Sequence, residues 1–155
     1  MAIATKFGRD ANQGPQSQGD FQQANSFTVE IDGVTVGGIV AVEGLSSENE
    51  IIDYQQGEEN LSRRRAGRLT FGAVTLTREW ANNWELYNWR KNVVSGKTDR
   101  RSVSIIFLSD AKTETARINL FNCWPSKHVL PDLDSRSSRH AVEKLIIEIE
   151  DMQNA

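Results

Sequence analysis

Short runs of alternating apolar and polar residues recur along most of the chain. The first, Phe27–Ile31, alternates large apolar side chains with polar ones, and this period of two predicts a half-buried β-strand. The Asp32-Gly33 pair that follows is a strong signal for a hairpin turn into a second strand over 34–42, with a bend at Gly37-Gly38. Similar patterns predict further strands over 48–54, 69–78, 101–108, 113–124 and 141–150.

One segment has the periodicity of a helix. Leu86, Trp89 and Val93 recur at the spacing of one helix face, and the Asn82-Asn83 pair can cap the helix at its start. A helix that lies on a sheet needs such an apolar face to pack against it. We therefore predict that Leu86, Trp89 and Val93 form the packing core between the helix and the sheet.

These elements predict a mainly β fold. Short strands joined by turns, about seven in number, favour an antiparallel β-sandwich or barrel with one flanking α-helix. Two stretches without periodicity, 55–68 and 125–138, are predicted to be long connections.

We divide the chain into a polar N-terminal arm (1–25), one β-sandwich domain (26–151) and a short C-terminal tail (152–155). The arm is rich in Gln, Asn, Gly and Ser, and it is too poor in apolar residues to offset the entropy of ordering. We expect it to be mobile in the free subunit. The alternative is an arm that becomes ordered against a neighbouring subunit.

Two groups of charged residues lie between the second predicted strand and the fourth. Four carboxylates follow one another without an intervening Lys or Arg: Glu43, Glu48, Glu50 and Asp53. The connection over 55–68 carries four arginines: Arg63, Arg64, Arg65 and Arg68. An interface-facing or solvated surface explains the carboxylates better than acid–base catalysis, which needs a pocket and a raised pKa.

Composition and charge exclude several classes of protein. The chain has 155 residues and a formal net charge of -3, whereas a general nucleic-acid binder usually carries a basic excess. The single cysteine, Cys123, rules out an intramolecular disulfide and a cysteine-based zinc site. No apolar stretch approaches the roughly 20 residues of a transmembrane helix, so direct membrane insertion by this subunit is not expected.

The sequence offers no constellation of residues typical of an enzyme. His128 and His140 have no convincing Cys, Asp or Glu partners at helical or hairpin spacing, so ordinary loop or surface roles are expected for both. There is also no glycine-rich phosphate loop and no nucleophile elbow. We expect no catalytic residues, no metal and no cofactor.

Several segments, taken in order, resemble the tail tube family of contractile bacteriophages and phage-like contractile injection systems. The resemblance extends over about 26–150 and includes Phe27–Gly33, Val42–Glu48 and Thr75–Arg78. Its most distinctive parts are Ala116–Lys127, Pro131–Asp134 and Ala141–Leu145. It implies a β-sandwich subunit that forms hexameric rings, which stack head-to-tail into a hollow tube inside a sheath. Contraction then drives the tube through a target envelope, and protein or DNA cargo passes along the lumen.

The resemblance also implies partners and a location. The partners are further copies of the chain, the sheath protein, the baseplate hub and tube-terminating proteins. Assembly is expected in the bacterial cytoplasm, into a virion or a phage tail-like particle. On this basis we place the four carboxylates and the four arginines at ring–ring or ring–sheath contacts. Their alternative is solvated surface, where ion pairs contribute only about 0–1 kcal/mol.

The competing hypothesis is a ligand- or carbohydrate-binding β-barrel that acts alone. Such a protein needs an exposed aromatic platform or a closed apolar cavity. The four tryptophans could supply a platform if their rings shared one face: Trp80, Trp84, Trp89 and Trp124.

Overall fold

The computed structural model describes residues 22–155 of the chain. The arm expected over 1–25 therefore lies outside the described residues, except for 22–25. The described part contains ten strands and one helix: β1 (Phe27–Ile31), β2 (Val34–Val36), β3 (Ile39–Glu43), β4 (Ser47–Tyr54), β5 (Arg63–Phe71), β6 (Val74–Glu79), α1 (Glu85–Val94), β7 (Arg101–Leu108), β8 (Glu114–Val129), β9 (Val142–Glu148) and β10 (Asp151–Asn154).

The long strand β8 connects two antiparallel sheets. Its first part pairs with β7 and β10, and its second part pairs with β9. One sheet thus has the order β2-β1-β7-β8-β10, and the other has the order β8-β9-β6-β3. Asn122 has a φ of 53°, and the pairing with β9 shifts register between Pro125 and Lys127. Such irregularities bend a strand, which allows β8 to continue from one sheet into the other.

The inward faces of the two sheets share one hydrophobic core. The first sheet contributes Val29, Ile31, Val103, Ile105 and Leu120, and the second contributes Val74, Leu76, Leu145 and Ile147. These positions alternate with outward-facing residues along their strands, as the period of two requires. The mainly β, antiparallel fold with one flanking helix, predicted from the sequence, is confirmed.

Helix α1 packs on the core through one face. Leu86 and Trp89 are buried in it, whereas Val93 is half-buried. Trp89 also donates a hydrogen bond from Nε1 to the carbonyl oxygen of Asp99, at 2.9 Å. Arg101 donates two hydrogen bonds to the carboxylate of Asp99. These bonds hold the pKa of the Asp99 carboxyl below its ordinary value. The segment after the helix is thereby fixed against the indole ring.

Hydrogen bonds stabilise both ends of α1. The N-cap residue is Trp84, whose side chain makes no capping hydrogen bond, and Asn83 lies one position before it. The side-chain oxygen of Asn83 accepts a hydrogen bond from the backbone N–H of Glu85, at 2.9 Å. At the other end Gly96 has a φ of 84°, and the N–H of Lys97 donates to the carbonyl oxygen of Asn92 at 3.0 Å. This left-handed glycine with a backward hydrogen bond is a common helix end.

Several boundaries differ from the sequence-based prediction. The strand expected over 69–78 is the end of β5 followed by β6, and these two strands lie in different sheets. The strand expected over 34–42 is two strands, since Gly38 turns the chain at a φ of 79° and sends β3 to the other sheet. The connection expected over 55–68 ends at Arg63, where β5 begins. The loop expected from residue 125 begins only after Val129, because Pro125 sits at the register shift, where a strand tolerates proline. Most of the segment 152–155, treated above as a tail, belongs to β10.

Candidate assembly surface

Strands β4 and β5 form a two-stranded hairpin outside the two sheets of the sandwich. Within the described residues the two strands contact each other and hardly any other element. Most of their residues are exposed on both faces of the ribbon. A two-stranded hairpin in water is marginally stable at best, so a ribbon of this kind is expected to gain stability from a partner.

The base of the hairpin is a close approach of two chain segments that only glycine permits. Gly44 has a φ of 89°, and a Cβ atom on it would lie 2.3 Å from the carbonyl oxygen of Ala73. A Cβ on Gly72 would lie 2.2 Å from the hydroxyl oxygen of Ser46, while the N–H of Gly72 donates to the Ser46 carbonyl at 3.1 Å. The two segments are therefore in close contact at the base of the hairpin.

A bulge lies in the middle of the hairpin. The register shifts between Asn49 and Ile51, so that Glu50 lies opposite both Gly67 and Arg68. A Cβ on Gly67 would lie 3.1 Å from the carbonyl oxygen of Glu50, which explains the glycine. Bulges increase the twist of a ribbon, and a twisted edge is a poor template for unspecific strand pairing.

The structure brings most of the predicted interface residues onto this hairpin. Glu43 lies at the end of β3 on the sandwich. The carboxylates on β4 are Glu48, Glu50 and Asp53, and the arginines on β5 are Arg63, Arg64, Arg65 and Arg68. The prediction that the arginines lie in an irregular connection is wrong, because all four are in a paired strand.

The acidic and basic groups lie side by side on one ribbon. Arg64 Nε is 3.2 Å from Asp53 Oδ1, and these side chains are 72% and 60% exposed. Arg63 forms an ion pair with Glu59 at 2.9 Å, and the Arg65 guanidinium lies 6.0 Å from the ring centroid of Tyr54. Exposed pairs of this kind contribute little to folding, so they leave the charges available to a partner.

The hairpin also exposes large apolar side chains that the sequence analysis did not single out. They are Ile51, Tyr54 and Leu69 on the strands and Leu61 in the turn, which is 77% exposed. Apolar groups interleaved with charges are typical of a surface that becomes buried in a complex. In the sequence, the one indication of this exposed surface is that the apolar residues of the segment do not follow a period of two or 3.6.

A row of aromatic side chains lies near the start of α1, and we call it the aromatic row. The ring centroids of Trp80 and Trp84 are 5.0 Å apart, and those of Trp84 and Tyr87 are 5.2 Å apart. Tyr87 in turn lies 5.9 Å from His128. All three ring pairs meet edge to face, with interplanar angles of 86°, 76° and 65°. Rings so inclined do not form the flat platform that the carbohydrate-binding hypothesis requires.

A buried cluster of charged side chains lies beneath the aromatic row. Glu143 is completely buried; it accepts a hydrogen bond from Arg78 Nε at 2.6 Å and is hydrogen-bonded to His128 Nε2 at 2.9 Å. Arg78 also donates to the carbonyl oxygen of Asn83, next to the start of the helix, at 2.9 Å. The cluster joins β6, β8, β9 and the helix cap. The expectation that His128 has an ordinary loop or surface role is wrong, because its buried side chain pairs with Glu143 on the adjacent strand β9.

Other candidate chemistry is sparse within residues 22–155. No group of three or more His, Cys, Asp or Glu residues in this part of the chain could hold a metal ion. Burial raises the pKa of the Cys123 thiol to about 12, so the thiol stays protonated and weakly nucleophilic at neutral pH. No helix in the same range is long and apolar enough to span a membrane.

The family model described as T4-like virus tail tube protein gp19 matches residues 23–153. No curated protein sequence matches the chain significantly.

Several solved structures share the fold of this chain. A chain in the sheath–tube complex of an extracellular contractile injection system, PVC, in the extended state is 20% identical, with a TM-score of 0.79 over 87% of this chain and 91% of that chain. A chain of the anti-feeding prophage (AFP) tube terminating cap is 19% identical, with a TM-score of 0.79 over 99% of both chains. Hcp1 from Flavobacterium johnsoniae is 13% identical, with a TM-score of 0.51 over 84% of this chain and 94% of that chain. At these identities the likeness demonstrates a shared fold.

Proposed function

Since this chain belongs to the family of the T4-like virus tail tube protein gp19, we propose that its copies form hexameric rings that stack into the inner tube of a contractile particle. The chain is a structural subunit of the tube, and its role is to form a wall rather than to catalyse a reaction. Protein or DNA cargo passes along the lumen, and contraction of a surrounding sheath carries the tube through a target envelope.

The observation that supports this assembly most strongly is the exposed β4–β5 hairpin. A two-stranded ribbon with both faces in water is marginally stable at best, so it is not expected in a subunit that acts alone. In a stack of rings the same ribbon would lie against the adjacent ring, where Ile51 and Leu69 become buried and the arginines meet carboxylates. A head-to-tail contact of this type does not close, and so it produces a tube.

The other partners follow from the same assembly. A tube inside a sheath needs an outer surface for the sheath protein, and its ends need a baseplate hub and a terminating protein. Chains with a similar fold occur in the sheath–tube complex of an extracellular contractile injection system and in the baseplate and tube terminating cap of the anti-feeding prophage (AFP), which supports these three partners. We expect the subunit to assemble in the bacterial cytoplasm before release of the particle.

Reversing the charge of three hairpin residues should shorten the tubes while leaving the fold intact. In the variant Arg63→Glu, Arg64→Glu, Arg65→Glu, each substitution is exposed, so the free energy of unfolding should change by at most about 0.5 kcal/mol per site. Like charges brought together across an interface cost several kcal/mol, and each ring repeats the change around its circumference. Tube length by negative-stain microscopy and the melting temperature are measured at low and at high salt.

A matched control carries the same change of charge elsewhere: Lys112→Glu, Arg136→Glu and Arg139→Glu, which are exposed and lie outside the hairpin. The control should form tubes of parental length. High salt should partly restore the hairpin variant, because the Debye length is only about 3 Å at 1 M. Tubes of parental length from the hairpin variant at low salt would remove the hairpin arginines from the interface.

A further inference from the structure

An apolar cleft opens between the two sheets at the end where the described chain begins. One part, of about 820 Å³, is lined by Phe107, Leu108, Ala111 and Ala116 at the end of the β7–β8 hairpin. A second part, of about 380 Å³, lies between Phe27, Ile105 and Phe107 of one sheet and Val40, Val42 and Leu45 next to the edge of the other. Both parts share Gln22, Gln23 and Phe107 in their walls. The cleft therefore reaches side chains that face the core.

Gln22 holds the chain at the mouth of this cleft. Its Nε2 donates to the carbonyl oxygen of Leu108 at 2.9 Å, and its Oε1 accepts a hydrogen bond from Thr115 Oγ1 at 3.0 Å. The β7–β8 hairpin thus fixes the point at which residues 1–21 join the domain. In every assembled copy this segment starts from the same place.

The segment 1–21 has a composition that suits an apolar cleft with acidic walls. Near one end it carries the large apolar residues Met1, Ile3 and Phe7. Lys6 and Arg9 flank Phe7, and Asp10 follows Arg9. The cleft walls include Asp110 in the larger part and Glu43 in the smaller part. An aromatic anchor with basic neighbours is therefore complementary to this cleft in both polarity and charge.

The spacing allows Phe7 to reach the cleft of a neighbouring copy. Fourteen residues, 8–21, separate Phe7 from Gln22, and they include Gly14, Pro15 and Gly19. Extended, they span up to about 45 Å at roughly 3.3 Å per residue. The radius of gyration of a domain of this size is only about 15 Å. A spacer of that reach is therefore long enough for Phe7 to enter the cleft of an adjacent subunit in an assembly.

We propose that Ile3 and Phe7 of one copy insert into the apolar cleft of a neighbouring copy, so that residues 1–21 link subunits of the tube. This inference rests on the proposed assembly of the chain into tubes. The link would bury apolar surface on both partners and would place Lys6 and Arg9 beside Asp110 and Glu43. It is independent of the β4–β5 hairpin, which lies outside the cleft.

Site-specific disulfide formation tests the link. Full-length chains carrying Gly8→Cys are mixed with chains carrying Ala111→Cys, allowed to assemble, oxidised, and analysed by mass spectrometry for the disulfide-linked peptide. Gly8→Cys leaves Ile3 and Phe7 unchanged, and Cys123 is buried in every chain. The control pairs Gly8→Cys with Ser138→Cys, an exposed position that does not line the cleft.

The linked peptide from the Ala111 mixture should exceed that from the Ser138 mixture by at least about tenfold, because docking raises the effective concentration of the two thiols. Equal yields from the two mixtures in preparations that contain tubes would overturn the inference and leave the proposed function standing. A third preparation uses one chain that carries both Gly8→Cys and Ala111→Cys. A disulfide that forms only within this chain, and not between the two chains of the mixture, would also overturn the inference, since the segment would then return to its own cleft. Parent chains that form no tubes would contradict the proposed function and this inference with it.

Discussion

Replacing Glu143 with glutamine should lower the free energy of unfolding by about 3–5 kcal/mol, because it leaves a buried cation without its counter-charge. Glu143 is completely buried, and the Arg78 side chain, 3% exposed, lies 2.5 Å from its carboxylate. Glutamine keeps the shape of the side chain but removes the negative charge and can no longer accept at both positions. His128, whose side chain is 4% exposed, loses the same carboxylate.

The matched control is Glu79→Gln, an exposed residue one position from Arg78 that pairs with Val142 on the strand carrying Glu143. Urea denaturation should place the control within about 0.5 kcal/mol of the parent. If Glu143→Gln shows an equally small loss, the cluster does not hold the sheet and the helix cap together.

Replacing Trp89 with alanine should cost about 3–5 kcal/mol of folding stability, the usual range for a buried tryptophan. Trp89 is 1% exposed, donates to the Asp99 carbonyl, and lies 5.1 Å from the Arg101 guanidinium, measured to the ring centroid. The substitution would empty the space between α1 and the sheets and would also free the segment after the helix. The tube would then fail because the subunit unfolds.

Trp84→Ala separates this effect from the loss of a tryptophan as such. Trp84 lies one turn earlier, is 50% exposed and belongs to the aromatic row. We expect it to cost less than Trp89→Ala in urea denaturation, since half of the Trp84 side chain is exposed and the substitution therefore loses less buried area. A Trp89→Ala variant as stable as Trp84→Ala would mean that the helix packs through other residues.

The period of apolar residues predicts an element correctly where one face of that element is buried and the other is exposed. Phe27–Ile31 and Arg101–Leu108 emerge as strands, with the bounds that the sequence indicates, because their alternate side chains enter the core. Leu86 and Trp89 reveal the helix for the same reason. Periodicity failed for β5, since Arg63–Phe71 is exposed on both faces and burial imposes no pattern on it.

The sequence did not predict the buried cluster of Arg78, His128 and Glu143, for a different reason. Arg78 and Glu143 are 65 positions apart and meet because β6 and β9 pair with Arg78 opposite Glu143. Such a pairing depends on the register of the whole sheet, which a single sequence does not reveal. The resemblance to the tail tube family, by contrast, was carried by an ordered set of segments and is confirmed by the family match.

Electron microscopy of the purified full-length chain tests its role as a tube subunit most directly. We expect hollow rings with sixfold symmetry in class averages, and tubes of a single width that lengthen as the protein concentration rises. A chain that folds cooperatively yet remains monomeric over the same concentrations would contradict its role as a tube subunit.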